Sequence, residues 1–172
     1  MGLFDKLLKK EDKTSLPKIN VSDDAIVALA DGELIDIHTV NDPAFSQELM
    51  GKGVAFRYSS EKIVLCSPVN GNLVALFPTG HAFGVRSNNG VELLVHCGID
   101  TIDAKGDGFT LLNKKQGCPV KAGDPIVEVD VNKLSKKYDM STMLIITNDN
   151  GRNFSFIEPK QVKMGDNILR SR

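Results

Sequence analysis

Val91-Glu92-Leu93-Leu94-Val95-His96-Cys97-Gly98-Ile99-Asp100-Thr101 is a β-forming run that stops at a glycine just after an imidazole. Side chains of a strand point alternately to opposite faces. Val91, Leu93 and Val95 are therefore predicted to enter a core, while Glu92, Leu94 and His96 share the other face. That places a partly exposed nucleophile at a strand end. Earlier in the chain, His81 stands in Phe77-Pro78-Thr79-Gly80-His81-Ala82-Phe83-Gly84, and Ser87-Asn88-Asn89-Gly90 between the two segments has hairpin chemistry. Antiparallel folding across that turn would bring the two imidazoles together.

The surrounding sequence repeats the theme of short β segments punctuated by glycine and proline. Strands are expected at Ala25–Ala30, Glu33–Ile37, Val54–Tyr58, Lys62–Cys66, Asn72–Phe77, Ala82–Arg86, Val91–His96, Ile126–Val129 and Met143–Thr147. Two stretches read as helix: Asp42–Met50, with an N-cap, Pro43 at the first position and Gly51 as a stop, and Asp130–Met140. Ala30-Asp31-Gly32-Glu33-Leu34-Ile35-Asp36-Ile37 echoes Val69-Asn70-Gly71-Asn72-Leu73-Val74-Ala75-Leu76, each an Asx-Gly turn followed by a strand. The expected fold is all-β: an antiparallel β-sandwich or barrel-like domain with one or two short helices and a flexible N-terminal tail.

Composition bounds the function. With 172 residues, 41% of them apolar, the chain can bury a core without disulfide or metal staples. Its net charge of −1, with Lys and Arg scattered, offers no electrostatic footprint for nucleic acid. Cys66, Cys97 and Cys118 are an odd number without a Cys-x-x-Cys pair, which points to a reducing cytoplasm. No apolar run has the length of a membrane span, and the N-terminus lacks the features of a secretory signal.

Residues 1–20 read as a tail and linker, and 21–172 as the body. In Met1–Lys10, Leu3 with Leu7 and Phe4 with Leu8 lie one helical turn apart, opposite Lys6, Lys9 and Lys10. The expectation is a peripheral contact with an anionic membrane surface, set against a frayed tail; so short a helix would form only upon the lipid. Lys6 stands where a myristoylation signal needs Ser or Thr. Glu11–Asn20, containing Pro17, reads as a flexible linker.

Three chemistries compete for His81 and His96. The first reads each as a satisfied structural histidine. A metal site would draw on His96, Asp100 and His81, the His-x-x-x-Asp spacing of hairpin metallopeptidases, but the His-x-His element that accompanies it is absent. In the nucleophilic reading, a neutral imidazole attacks phosphorus while the second imidazole and the Thr79 hydroxyl donate to the phosphoryl oxygens. A loose phosphoryl transition state mainly needs positioning, and no Walker-type loop is present.

Pro68-Val69-Asn70-Gly71, Thr79-Gly80-His81-Ala82-Phe83, the run Gly90–Thr101, Lys105-Gly106-Asp107-Gly108-Phe109 and Val120-Lys121-Ala122-Gly123-Asp124 closely resemble the glucose-type enzyme IIA family of the bacterial phosphoenolpyruvate-dependent sugar phosphotransferase system. The resemblance spans roughly residues 20–170. It implies a cytoplasmic phosphocarrier with an antiparallel β-sandwich fold and no cofactor or resident metal. His96 would accept the phosphoryl group from the phosphohistidine of HPr and pass it to a cysteine on the IIB domain of a sugar permease. His81 would hold that group, oriented by Thr79. Partner docking would use an apolar rim of Phe45, Leu49, Met50, Phe77, Phe83 and Leu94, with Asp42 and Asp100 as acids meeting basic side chains. Regulatory protein partners differ by lineage. The permease, not this component, selects the sugar.

The chain departs from that family at Leu94 and Cys97, where relatives carry phenylalanines, and at Gly80, where they carry Asn. Cys97 is expected to be an apolar filler rather than a nucleophile. His38 belongs to no motif and reads as a solvated loop residue. From another class, Pro119–Val129 resembles the hairpin of biotinyl or lipoyl carrier domains, but Lys163 before Met164 lacks the flanks of a modified lysine.

Overall fold

The computed structural model describes residues 16–171. The amphipathic turn Met1–Lys10 expected at the N-terminus lies outside them. Ile19, within the expected flexible linker, packs on the turns of Gly123 and Gly165, whose missing side chains leave room for it: a Cβ on either would come within 2.9 or 3.0 Å of the Ile19 side chain. The anchored body therefore starts before residue 21.

β-branched runs interrupted by tight turns form eleven strands among the described residues: β1 Gly32–Ile35, β2 Lys52–Arg57, β3 Lys62–Cys66, β4 Gly71–Leu76, β5 Ala82–Ser87, β6 Glu92–Cys97, β7 Phe109–Leu111, β8 Pro119–Val120, β9 Pro125–Asp130, β10 Thr142–Asn148 and β11 Lys160–Val162. One sheet has the order β11-β1-β2-β10-β6-β5-β4-β8 and the other β3-β9-β7. Every pairing is antiparallel. The large sheet is open, with β11 and β8 at its edges, so the architecture is a sandwich and not a closed barrel. Gly32 and Gly71 open β1 and β4, so both copies of the Asx-Gly echo start a strand.

Leu34, Phe56, Leu73, Phe83, Val85, Leu93, Val95 and Leu144 of the large sheet bury together with Ile63, Leu65, Val127 and Val129 of the small one. Burial of such side chains removes roughly 1.5–3 kcal/mol of exposure cost each. A second, smaller cluster of Ile35, Ile37, Val40, Phe45, Ala55, Met143 and Ile145 occupies the opposite face of the large sheet. The segment around residues 37–50 thus covers β2 and β10, and stops beside Leu94 and His96 of β6.

The two helices are shorter than the sequence reading. α1 spans Pro43–Ser46 and α2 Val131–Leu134. Asp42 caps α1, its carboxylate accepting from the Ala44 amide at 3.0 Å. One turn later the backbone leaves the helical region, and Glu48 has φ +52°. Ile26–Ala30 is buried, but in place of the strand expected at Ala25–Ala30 there is only an isolated bridge, Val27 with Asn167. Its near-continuous apolar character reflects burial, which does not require a ladder. β7, β8 and β11 are too short to show a period, and the sequence reading lacks them.

Candidate functional site: two imidazoles beside an apolar rim

β6 alternates as its residues dictate: Leu93, Val95 and Cys97 are buried, while Glu92, Leu94 and His96 are half-buried on the other face. The β5–β6 hairpin sets Ala82 opposite His96 and Arg86 opposite Glu92. Its turn closes through Gly90 N–H donating to the Ser87 carbonyl at 2.9 Å, with Gly90 at φ +83°. His81 lies one residue before β5, outside the pleat, after the Phe77–Gly80 turn in which the Gly80 amide donates to the Phe77 carbonyl at 2.8 Å. Free of strand alternation, its ring meets that of His96 edge to face, with centroids 5.2 Å apart and planes at 81°.

The rings continue on both sides. Phe45 lies 5.1 Å from His96 and Phe77 5.3 Å from His81, centroid to centroid, giving the row Phe45, His96, His81, Phe77. Each such contact contributes about 0.5–1.5 kcal/mol beyond burial and restricts the imidazoles.

Hydrogen bonds then orient them. His96 Nδ1 is 2.8 Å from the Gly98 carbonyl oxygen. A carbonyl only accepts, so Nδ1 carries the hydrogen, and neutral His96 has its lone pair on Nε2. His81 Nδ1 is 2.6 Å from Thr79 Oγ1. When the hydroxyl donates to Nδ1, Nε2 of His81 becomes a donor.

Burial pushes the pKa of His81 down, and the neighbouring His96 adds to the shift. Burial also lowers the pKa of His96, opposed by the Gly98 carbonyl and by the charges of Asp42 and Asp100. Both rings are thereby biased toward the neutral form, and a neutral imidazole is a nucleophile.

Leu49, Met50 and Phe77 are exposed at 70%, 39% and 42%, and Leu94 is half-buried. Phe83 and Phe45 depart from the expected rim. Phe83 is 1% exposed within the main core, because it lies on the inward face of β5, and Phe45 is 5% exposed because its ring rests on the outer-face cluster and on His96. Phe45 forms a wall of the site, and Phe83 supports the sheet beneath it. Asp42 spends one oxygen on capping α1. Asp100 is exposed at φ +60°, opening the 3-10 turn Thr101–Ala104.

The Gly98 carbonyl, absent from the residues expected at the site, leaves no signal in the sequence beyond the glycine itself. Ile102, on the turn after β6, is 55% exposed. Cys97 points into the core, with Thr142 Oγ1 3.4 Å from its sulfur, and burial pushes its thiol up to about 12, which makes it unreactive. Gly80 has φ +79°, a conformation open to Gly and tolerated by Asn, but a Cβ there would lie 2.9 Å from that of Phe109. Among the described residues no group of three His, Cys, Asp or Glu is assembled for a metal. His96, Asp100 and His81 therefore do not form the triad of the metallopeptidase reading.

Residues 24–152 match the model of the phosphoenolpyruvate-dependent sugar phosphotransferase system, EIIA 1. The chain belongs to this EIIA family. It is therefore a phosphotransfer component of sugar uptake. An EIIA relative, the glucose-specific EIIA component of Haemophilus influenzae, is 42% identical over 149 residues, covering 86% of this chain and 84% of the relative. The glucose-specific EIICBA component of Staphylococcus carnosus is 35% identical over 139 residues, which cover 80% of this chain but 20% of that longer protein. The EIIA fold is also seen in the solved glucose permease IIA from Mycoplasma capricolum, with a TM-score of 0.78 and 36% identity, covering 84% of this chain and 93% of that one. Family membership displaces the biotinyl or lipoyl alternative. Among the described residues no helix is long and apolar enough to cross a membrane.

Proposed function

We propose that His96 is the phosphoryl acceptor of a glucose-specific relay, taking the group from phosphohistidine of HPr and passing it to a cysteine of a permease IIB domain. The observation that carries this reading is the His96 ring, held through Nδ1 by Gly98 with Nε2 left unprotonated, beside a second imidazole. The Nε2 lone pair forms a bond to phosphorus as the donor nitrogen–phosphorus bond breaks, and the electron pair returns to the donor imidazole. Onward transfer reverses these roles: a cysteine thiolate bonds phosphorus, and His96 Nε2 keeps the electron pair. The phosphoramidate remains a good donor, so the relay is reversible.

His81 supports the phosphoryl oxygens by donating from Nε2, provided the Thr79 hydroxyl donates to its Nδ1. Phe77, Leu49, Met50 and Leu94 supply an apolar docking surface, and Asp42 and Asp100 supply the charge that basic partner side chains meet. Glucose is assigned from the names of the relatives, and a fused IIB domain in a protein named EIICBA fits the proposed acceptor. We place the protein in the cytoplasm, with the carrier body including Ile19 and Met1–Lys10 as the segment that touches anionic membrane.

The test is incubation with phosphoenolpyruvate, the general phosphotransferase enzyme and HPr, followed by intact mass measurement. One acid-labile phosphoryl adduct, located on His96, is expected. An acid-stable adduct, or none, overturns the reading.

A further inference from the structure

His38 lies outside the family motifs, and the structure gives it more than the solvated loop position expected from sequence. It sits in the 3-10 turn Ile37–Thr39 with its side chain 63% exposed, yet both ring nitrogens are engaged. Nδ1 is 2.6 Å from Asp36 Oδ1, and Nε2 is 3.1 Å from Glu48 Oε1. Carboxylates only accept, so a ring carrying hydrogens on both nitrogens, the imidazolium, pairs with Asp36 and Glu48 at once.

Each end of this bridge is itself committed. Asp36 caps the 3-10 turn by accepting from the His38 amide at 2.9 Å, and its carboxyl is held below the usual range first by that amide and then by the ring. Glu48, after α1, has φ +52°, a left-handed conformation that a glutamate side chain disfavours. Its amide donates to Phe45 and its carbonyl accepts from Gly51, so the local turn is closed around it. Leu49 and Met50 follow immediately and are exposed.

We propose that His38 is a positioning residue for docking: its imidazolium ties Glu48 to Asp36, stabilises the left-handed turn, and thereby presents Leu49 and Met50 to the apolar surface of a phosphoryl-donor protein. This rests on the docking role given to Leu49 and Met50 above. An exposed ion pair is weak, but so is the preference it must overcome, and a single residue's backbone conformation is a matter of similar size. The charged groups facing the ring are Asp36, before the turn, and Glu48, after α1.

The test compares wild type, His38→Gln and His38→Gln/Glu48→Gly in phosphoryl acceptance from phosphorylated HPr. His38→Gln should raise KM about fivefold, the scale of one surface ion pair, with kcat unchanged. Glycine accepts the left-handed backbone unaided, so adding Glu48→Gly should bring KM back toward wild type.

An unchanged KM in His38→Gln, or a double variant as impaired as the single one, overturns the proposal. Amide hydrogen exchange at Leu49, whose N–H donates to the Ala44 carbonyl, reads the turn without any phosphoryl transfer. Faster exchange in His38→Gln, restored by Glu48→Gly, supports the clamp, and no change refutes it. Failure of wild type to accept phosphate would instead sink the proposed function while leaving this exchange result to decide the clamp.

Discussion

The His96 ring takes its orientation from Gly98, two residues along the same chain, through a hydrogen bond from Nδ1–H to the carbonyl at 2.8 Å. Gly98 has φ +80°, and a Cβ there would lie 2.4 Å from Thr101 Cγ2. Gly98→Ala should destabilise the fold by about 2–4 kcal/mol, the sum of a left-handed backbone and an overpacked contact. Urea unfolding measures that loss. Under conditions where the variant stays folded, phosphoryl acceptance should still fall, because a displaced carbonyl no longer selects the Nε2 nucleophile.

Removing either imidazole should separate acceptance from delivery. His96→Ala is expected to form no adduct. His81→Gln should still be phosphorylated, yet pass the group onward about a hundredfold or more slowly, the range of a lost proton donor in phosphoryl or acyl chemistry. Quenched-flow transfer to an isolated IIB domain provides the rate. An adduct on His96→Ala would move the nucleophile elsewhere.

Thr79→Val deletes the hydroxyl 2.6 Å from His81 Nδ1 while preserving shape. The imidazole then loses the partner that selects its tautomer. Onward transfer should slow about tenfold, equivalent to one ordinary hydrogen bond, with little change in unfolding midpoint. A transfer rate equal to wild type would remove Thr79 from the site.

Acid should act on this protein through the same two rings. Both histidines have pKa values lowered from 6.5, so in the folded state they remain neutral at pH values where the unfolded chain already binds protons. Their contribution to stability is complete above the unfolded value of 6.5 and is lost as pH falls through 6.5 toward the lower folded values. Urea midpoints should decline across that window in wild type and decline less in His81→Gln. Acceptance should likewise persist somewhat below pH 6.5 before protonation removes the lone pair.

Thiol chemistry should distinguish the cysteines. Cys66 and Cys97 are buried, with thiols pushed up to about 12, whereas Cys118 is partly exposed. A thiol reagent applied to the native protein should label Cys118 and reach the other two only upon unfolding. Rapid native labelling of Cys97 would contradict its place on the buried face of β6.

Much of the site was legible because its information is local. The alternation from Val91 to Cys97 gives the facing of His96, and Ser87-Asn88-Asn89-Gly90 forms the hairpin that carries it. Helix lengths were not legible: Asp42 and Pro43 do start α1, but Glu48 at φ +52° ends the regular backbone before Gly51 is reached. Phe45 and Phe83 show a second limit. An aromatic near a polar centre reads the same whether it faces a partner or the core, and only its neighbours across the sheet decide which.

The amino-acid order by itself determined a β-rich body, the strand end that carries His96 and the chemistry available to an imidazole there, since turn preference and side-chain alternation act over a few residues. The hairpin also foretold that His81 and His96 approach each other, whereas tertiary packing alone decided that Phe45 walls the site and that His38 reaches Glu48 from a neighbouring turn. These contacts join segments whose separation is set by the folding of the whole sheet, and no local rule carries that distance.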